Sequence, residues 1–121
     1  MVELKTASAA RLDAVFHALG DATRRQMLRD LAGGQRSVGE LASPHHMSLA
    51  AASKHIKALE KAGLVNRTIR GRTHICRLEA RPLEDAREWI NFYERFWNSR
   101  LDVLEGLLRG EPTPEPQGDD R

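Results

Sequence analysis

The chain has 121 residues, 40% hydrophobic and 30% charged, which suits one soluble domain with a real core. No apolar run nears the roughly 18 residues that span a bilayer, and the first residues lack the apolar stretch and cleavage pattern of a signal peptide, so neither a membrane span nor a leader is expected. The formal net charge of +2 is uneven: between Arg36 and His74 seven cations face two carboxylates, whereas Pro82 to Arg109 and Glu111 to Arg121 are net acidic, so the middle is either a solvated face or a surface for a polyanion.

The first predicted helix covers about Ala9 to Leu19, with Leu12, Val15, Phe16 and Leu19 on one face and His17 beside them as a core or interface histidine. Gly20 ends it, and Asp21 caps a second helix that buries Met27, Leu28 and Leu31 and stops at Gly33-Gly34. Ser37-Val38-Gly39-Glu40 reads as a capping box that opens a short helix, with Val38 and Leu41 inward and Pro44 closing it. A fourth helix starts at Ser48 and runs to about Ala62, where Gly63 stops it. Its predicted buried stripe is Leu49, Ala52, Ile56 and Leu59, and its other face carries Ala50, Ala51, Lys54, Lys57, Ala58 and Lys61. Two helices joined by a short turn, the second showing small and basic residues, make a helix-turn-helix.

LVNRTIR and THICRLEA, separated by Gly71-Arg72, are short and β-branched, so they predict an antiparallel hairpin, a wing with Arg70 and Arg72 at its tip. Pro82 suits the first turn of a long last helix, on which Leu83, Ala86, Ile90, Tyr93, Trp97, Leu101, Leu104 and Leu108 recur at helical spacing, with Trp89, Phe92 and Phe96 alongside. That stripe is about 40 Å long at 1.5 Å per residue and outruns the small core, so a second copy of the chain is expected to cover it. The acidic, proline-rich segment 111–121 is expected to be a disordered tail behind a domain of residues 1–110.

The stretch HHMSLAAASKH, residues 45–55, poses a choice between a metal site and a reading head. A helix lying in a DNA major groove needs short side chains near its start and donors that reach bases or phosphates, and Ser48, Ala50, Ala51, Ser53 and Lys54 meet both needs. Lys57 and Lys61 lie farther along, suited to phosphates, and Arg67, Arg70 and Arg72 of the wing could reach phosphates or a minor groove. Against a metal, His45 and His46 are adjacent and diverge, and no His-x-x-x-His pair occurs. Cys76 is the only cysteine, which excludes an internal disulfide, suits a reducing cytoplasm and reads as a buried filler.

Three segments carry a resemblance: LGDATRRQMLRDLAGGQRSVGELA, MSLAAASKHIKALEKAGLV and RTIRGRTHICRLEARPL. Together, over roughly residues 10 to 105, they resemble the ArsR/SmtB family of bacterial winged-helix repressors, and the aromatic last helix is similar to an autorepressor-like branch. The resemblance implies a mainly α winged helix-turn-helix of order α-α-α-α-β-β-α. It implies a homodimer held by the terminal helices, here through Leu12, Phe16, Leu83, Ile90, Tyr93, Trp97, Leu101 and Leu104. It further implies two recognition helices on a near-palindromic double-stranded operator, with His55 positioning the helix or touching the DNA backbone. The paired cysteines of metal-sensing members have no counterpart in SVGELAS, and no histidine follows His74, so neither metal site carries over and no cofactor is expected. A ligand-gated sensor taking a small apolar molecule between the last helices, and a protein–protein module of the same fold, stay open beside the repressor. No nucleophile with its base, phosphate loop or catalytic carboxylate pair is apparent, so no enzyme is expected.

Overall fold

The computed structural model describes residues 2–110. The segment 111–121, expected as a disordered tail, lies outside the described residues. The chain divides between Ala86 and Arg87 into two compact units.

The first unit holds α1 (Val2–Leu19), α2 (Ala22–Ala32), β1 (Arg36–Ser37), α3 (Val38–Ala42), a 3-10 turn (Ser43–His45), α4 (Leu49–Lys61), β2 (Val65–Arg70) and β3 (Thr73–Leu78). It also holds the start of α5 (Leu83–Leu108). α1 begins well before the expected Ala9, because no glycine or proline between Val2 and Ala9 interrupts helical backbone. The core is built from Val15 and Ala18 of α1, Met27 and Leu31 of α2, Leu41 of α3, Ala52, Ile56 and Leu59 of α4, and Leu64 and Cys76 around the sheet. Leu12 and Phe16 pack partly buried against it. His17 is exposed on α1, which removes it from the core.

The sheet has three strands, in the order β1-β3-β2, all antiparallel. The expected hairpin is present, with Arg70 opposite Thr73 at its end. β1 is additional. At two residues it is too short to show an alternating pattern, and its place is set by pairing Arg36 with Cys76 and Ser37 with Ile75. Cys76 therefore sits on the central strand with Arg67 on its other side, fully buried.

Local chemistry fixes the helix ends. Asp21 accepts from the Arg24 N–H at 3.0 Å, and the Ser37–Glu40 capping box forms with bonds of 3.1 and 2.8 Å. At the end of α4 the Gly63 N–H reaches Glu60 O and the Leu64 N–H reaches Leu59 O, both at 2.9 Å. This is a Schellman closure, and Gly63 serves it at φ +76°.

Leu49 departs from the expected buried stripe: Ala52, Ile56 and Leu59 are buried, but Leu49 is 61% exposed. Helical side chains lean toward the N-terminus, so one at the first position overhangs the end of the core. Its side chain there borders a cleft with Val38 and Gly39 of α3.

The second unit contains the rest of α5. Trp89, Ile90, Tyr93, Trp97, Leu101 and Leu104 are all exposed. Tyr93 centres an aromatic ladder, with ring centroids 5.0 Å from Trp89, 4.9 Å from Phe92 and 6.2 Å from Phe96. Among the described residues no helix is long and apolar enough to cross a membrane.

Candidate nucleic-acid interface

The Ser48 hydroxyl accepts from the Ala51 N–H at 3.1 Å and so starts α4. From there Ala50, Lys54, Lys57 and Lys61 are exposed, while Ala51, Ser53 and His55 are half-buried. The three lysines find no hydrogen-bond or ion-pair partner among the described residues. Spacing along one helical face, rather than any tertiary contact, lines them up.

His55 is tied inward. Its Nδ1 lies 3.3 Å from Arg24 Nη1 and 3.7 Å from Asp21 Oδ2. Arg24 in turn donates through Nε to Ala18 O at 2.9 Å and through Nη2 to His17 O at 2.8 Å, while Arg25 donates to Leu19 O at 2.7 Å. These guanidinium groups satisfy carbonyls left open at the end of α1 and hold α1, α2 and α4 at one junction. The Arg24 backbone N–H beside Asp21 lowers that carboxyl below its ordinary value, and the Arg24 and His55 charges add to this against the opposing effect of burial.

The wing splits its arginines. Arg70 and Arg72 are exposed around Gly71, whose φ of +63° makes the tight turn. Arg67 is drawn inward: Nη2 donates to Glu60 Oε1 at 2.6 Å, and Nη1 lies 3.4 Å from His74 Nδ1. The pair joins β2 to the last turn of α4. A cleft of about 400 Å³ separates the wing from α4, lined by Val38, Gly39, Leu49, Ser53, Arg72 and His74 among others. The structure thus brings Ser48, Ala50, Ala51, Ser53, Lys54 and Lys57 onto one helix, sets Arg72 beside it, and gives Arg67 an internal partner.

His45 and His46 end the turn before α4. His46 takes the left-handed conformation at φ 52°. His45 Nε2 is buried and has no hydrogen-bond partner among the described residues. Among the described residues no three His, Cys, Asp or Glu side chains gather in a way that could hold a metal ion. Burial pushes the Cys76 thiol up from its ordinary value.

Three contributors fall outside the set that sequence reasoning selects. Glu60 pairs across the Gly63 turn, a fold-dependent contact with no local signal. Asp21 is legible as a cap, but its approach to His55 spans 34 positions of chain and is not. Leu49 has the period of a core residue.

A family described as a helix-turn-helix domain matches residues 19–68. The HTH-type transcriptional regulator Rv2034 of Mycobacterium tuberculosis is 34% identical over 99 residues, covering 82% of this chain and 90% of that protein. The transcriptional repressor SdpR of Bacillus subtilis is 30% identical over 82 residues, covering 67% and 91%. Among solved structures, the ArsR family transcriptional regulator RHA00566 superposes with a TM-score of 0.69 at 35% identity, covering 75% of this chain and 94% of that one. The solution structure of the homodimeric winged helix-turn-helix DNA-binding domain of Mb0332 from Mycobacterium bovis gives 0.60 at 30% identity, covering 76% and 87%.

Proposed function

The chain belongs to the ArsR family of winged helix-turn-helix transcriptional regulators, and from that premise we propose that it is a homodimeric repressor. It acts in the cytoplasm by occupying a near-palindromic operator in the promoter of its own or a neighbouring operon. The observation that carries this reading is the row of outward lysines on α4, Lys54, Lys57 and Lys61, beside the exposed Arg70 and Arg72 of the wing. Cations without internal partners are free to displace counterions from phosphates, while Ser48, Ala50, Ala51 and Ser53 leave room for base edges to approach. His55, tied to Asp21 and Arg24, positions the helix from behind. Arg67 holds the wing through Glu60 and reaches DNA only if that pair opens.

The homodimer is supported by the exposed apolar face of α5, on which Ile90, Tyr93, Trp97, Leu101 and Leu104 lie open, and by the homodimeric state of the Mycobacterium bovis domain. Leu12, Phe16 and Leu83 join that interface in the same reading. Repression needs no chemistry: bound protein excludes polymerase.

The test is binding to a fragment of the protein's own promoter across a salt series. The expected affinity falls steeply with salt. Lys54→Ala with Arg70→Ala weakens binding and flattens the salt dependence by about 1 unit of slope for each phosphate left without its cation. Unchanged binding by that double variant sinks the assignment of these residues.

A second reading has one specific observation behind it: a groove of about 380 Å³ on α5 lined by Tyr93, Phe96, Trp97 and Arg100. In that reading a small apolar molecule enters there and releases the operator. A ligand that shifts the fluorescence of Trp97 and lowers operator affinity supports it.

A further inference from the structure

We propose that the recognition helix reads thymine through its 5-methyl group, with Leu49 as the contacting and specificity-determining residue. The inference rests on the operator-binding reading above and deepens it.

A leucine at the first position of α4 is 61% exposed and stands outside the buried core. Its neighbours share its character. Ala50 and Ala51 carry no side-chain donor or acceptor, and the Ser48 hydroxyl is turned to the Ala51 N–H at 3.1 Å. The first turn of α4 therefore offers an apolar surface where helices of this kind meet base edges. Of the groups displayed in the major groove, one is apolar, the thymine methyl, and it is the group that Leu49, Ala50 and Ala51 match.

The surroundings select duplex DNA as the occupant. Leu49 lines the cleft between α4 and the wing together with Ser53, Arg72 and His74, and Lys54 and Lys57 lie exposed on the same helix. An apolar contact ringed by cations fits a methyl group bordered by phosphates.

The probe is the duplex that the wild-type protein selects from a randomised pool, remade with each thymine in turn replaced by deoxyuridine, which removes only the methyl. Wild-type affinity is expected to fall about 3- to 5-fold at one or two thymines per half-site, the scale of one buried methyl group. Leu49→Ala is expected to bind the parent duplex more weakly and to show no fall at those same positions, with its thermal midpoint unchanged because the side chain lies outside the core. Equal wild-type affinity for every deoxyuridine duplex overturns the proposal while leaving operator binding intact. So does a Leu49→Ala protein that keeps the full methyl preference. A wild-type protein that selects no duplex overturns the operator reading, and this inference with it.

Discussion

Asp21 serves two neighbours at once: its carboxylate closes the start of α2 through the Arg24 N–H and faces His55 of the recognition helix. Its pKa is held below the ordinary 3.8, chiefly by that backbone bond. A carboxyl depressed in the folded state adds stability that is whole above its unfolded value and is lost as the pH falls through the folded one. Asp21→Ala is expected to cost about 1 kcal/mol at neutral pH, as lost N-caps do. In urea melts at stepped pH, the gap to the wild type should close as the pH falls below 3.8. Cys76 gives the opposite case. With the thiol fully buried on the central strand and its pKa raised by that burial, alkylation at neutral pH should track global unfolding and stay slow in buffer. Rapid labelling of the native protein contradicts this placement.

At the scale of elements, two glycines with left-handed backbone should respond differently. An added β-carbon at Gly71 meets nothing within 4 Å, whereas at Gly63 it comes 3.3 Å from Pro82 Cγ. Gly71→Ala is expected to cost about 1 kcal/mol, the strain of the conformation alone, and Gly63→Ala more, because the Schellman closure and the start of α5 must also shift. Thermal melts of the two variants decide the order. The Glu60–Arg67 pair joins α4 to the wing at 2.6 Å with the arginine side chain only 13% exposed. A double-mutant cycle with Glu60→Gln and Arg67→Gln should show coupling of about 1–2 kcal/mol, on the scale of a charge-assisted hydrogen bond.

These elements also show what is legible in the chain. The capping box, the Asp21 cap, the glycine stop at Gly63 and the hairpin are written in adjacent residues, so they can be read directly. β1 cannot, because Arg36 and Ser37 become a strand only when β3 arrives beside them. Leu49 escapes for a related reason: periodicity gives the side of a helix a residue occupies, and says nothing of where along the axis the core stops. The inward turn of Arg67 depends on Glu60, beyond a glycine turn, and the order of cations in the wing cannot separate it from Arg70 and Arg72.

For the whole molecule, the weightiest feature is the apolar surface of α5, where Trp97 is 59% and Leu101 61% exposed. Surfaces of this kind mark association sites. Sedimentation of the wild type should give a dimer, and Trp97→Asp with Leu101→Asp a monomer. If the proposed operator takes both recognition helices of the dimer, that monomer should bind it at least about tenfold more weakly, since the second helix is no longer tethered to the first. A double variant that stays dimeric sinks this assignment.

Ser37 carries a consequence of a different kind. It is the last residue of β1, pairing with Ile75, and also the N-cap of α3, bonded to Glu40. One residue thus belongs to both the sheet and the start of α3. The inner edge of the wing and the start of α3 should then open as one cooperative unit. Amide hydrogens of Ser37, Glu40 and Cys76, the last paired with Arg36, should exchange with a common free energy. Ser37→Ala, which keeps the strand and deletes the cap, should lower protection at all three together.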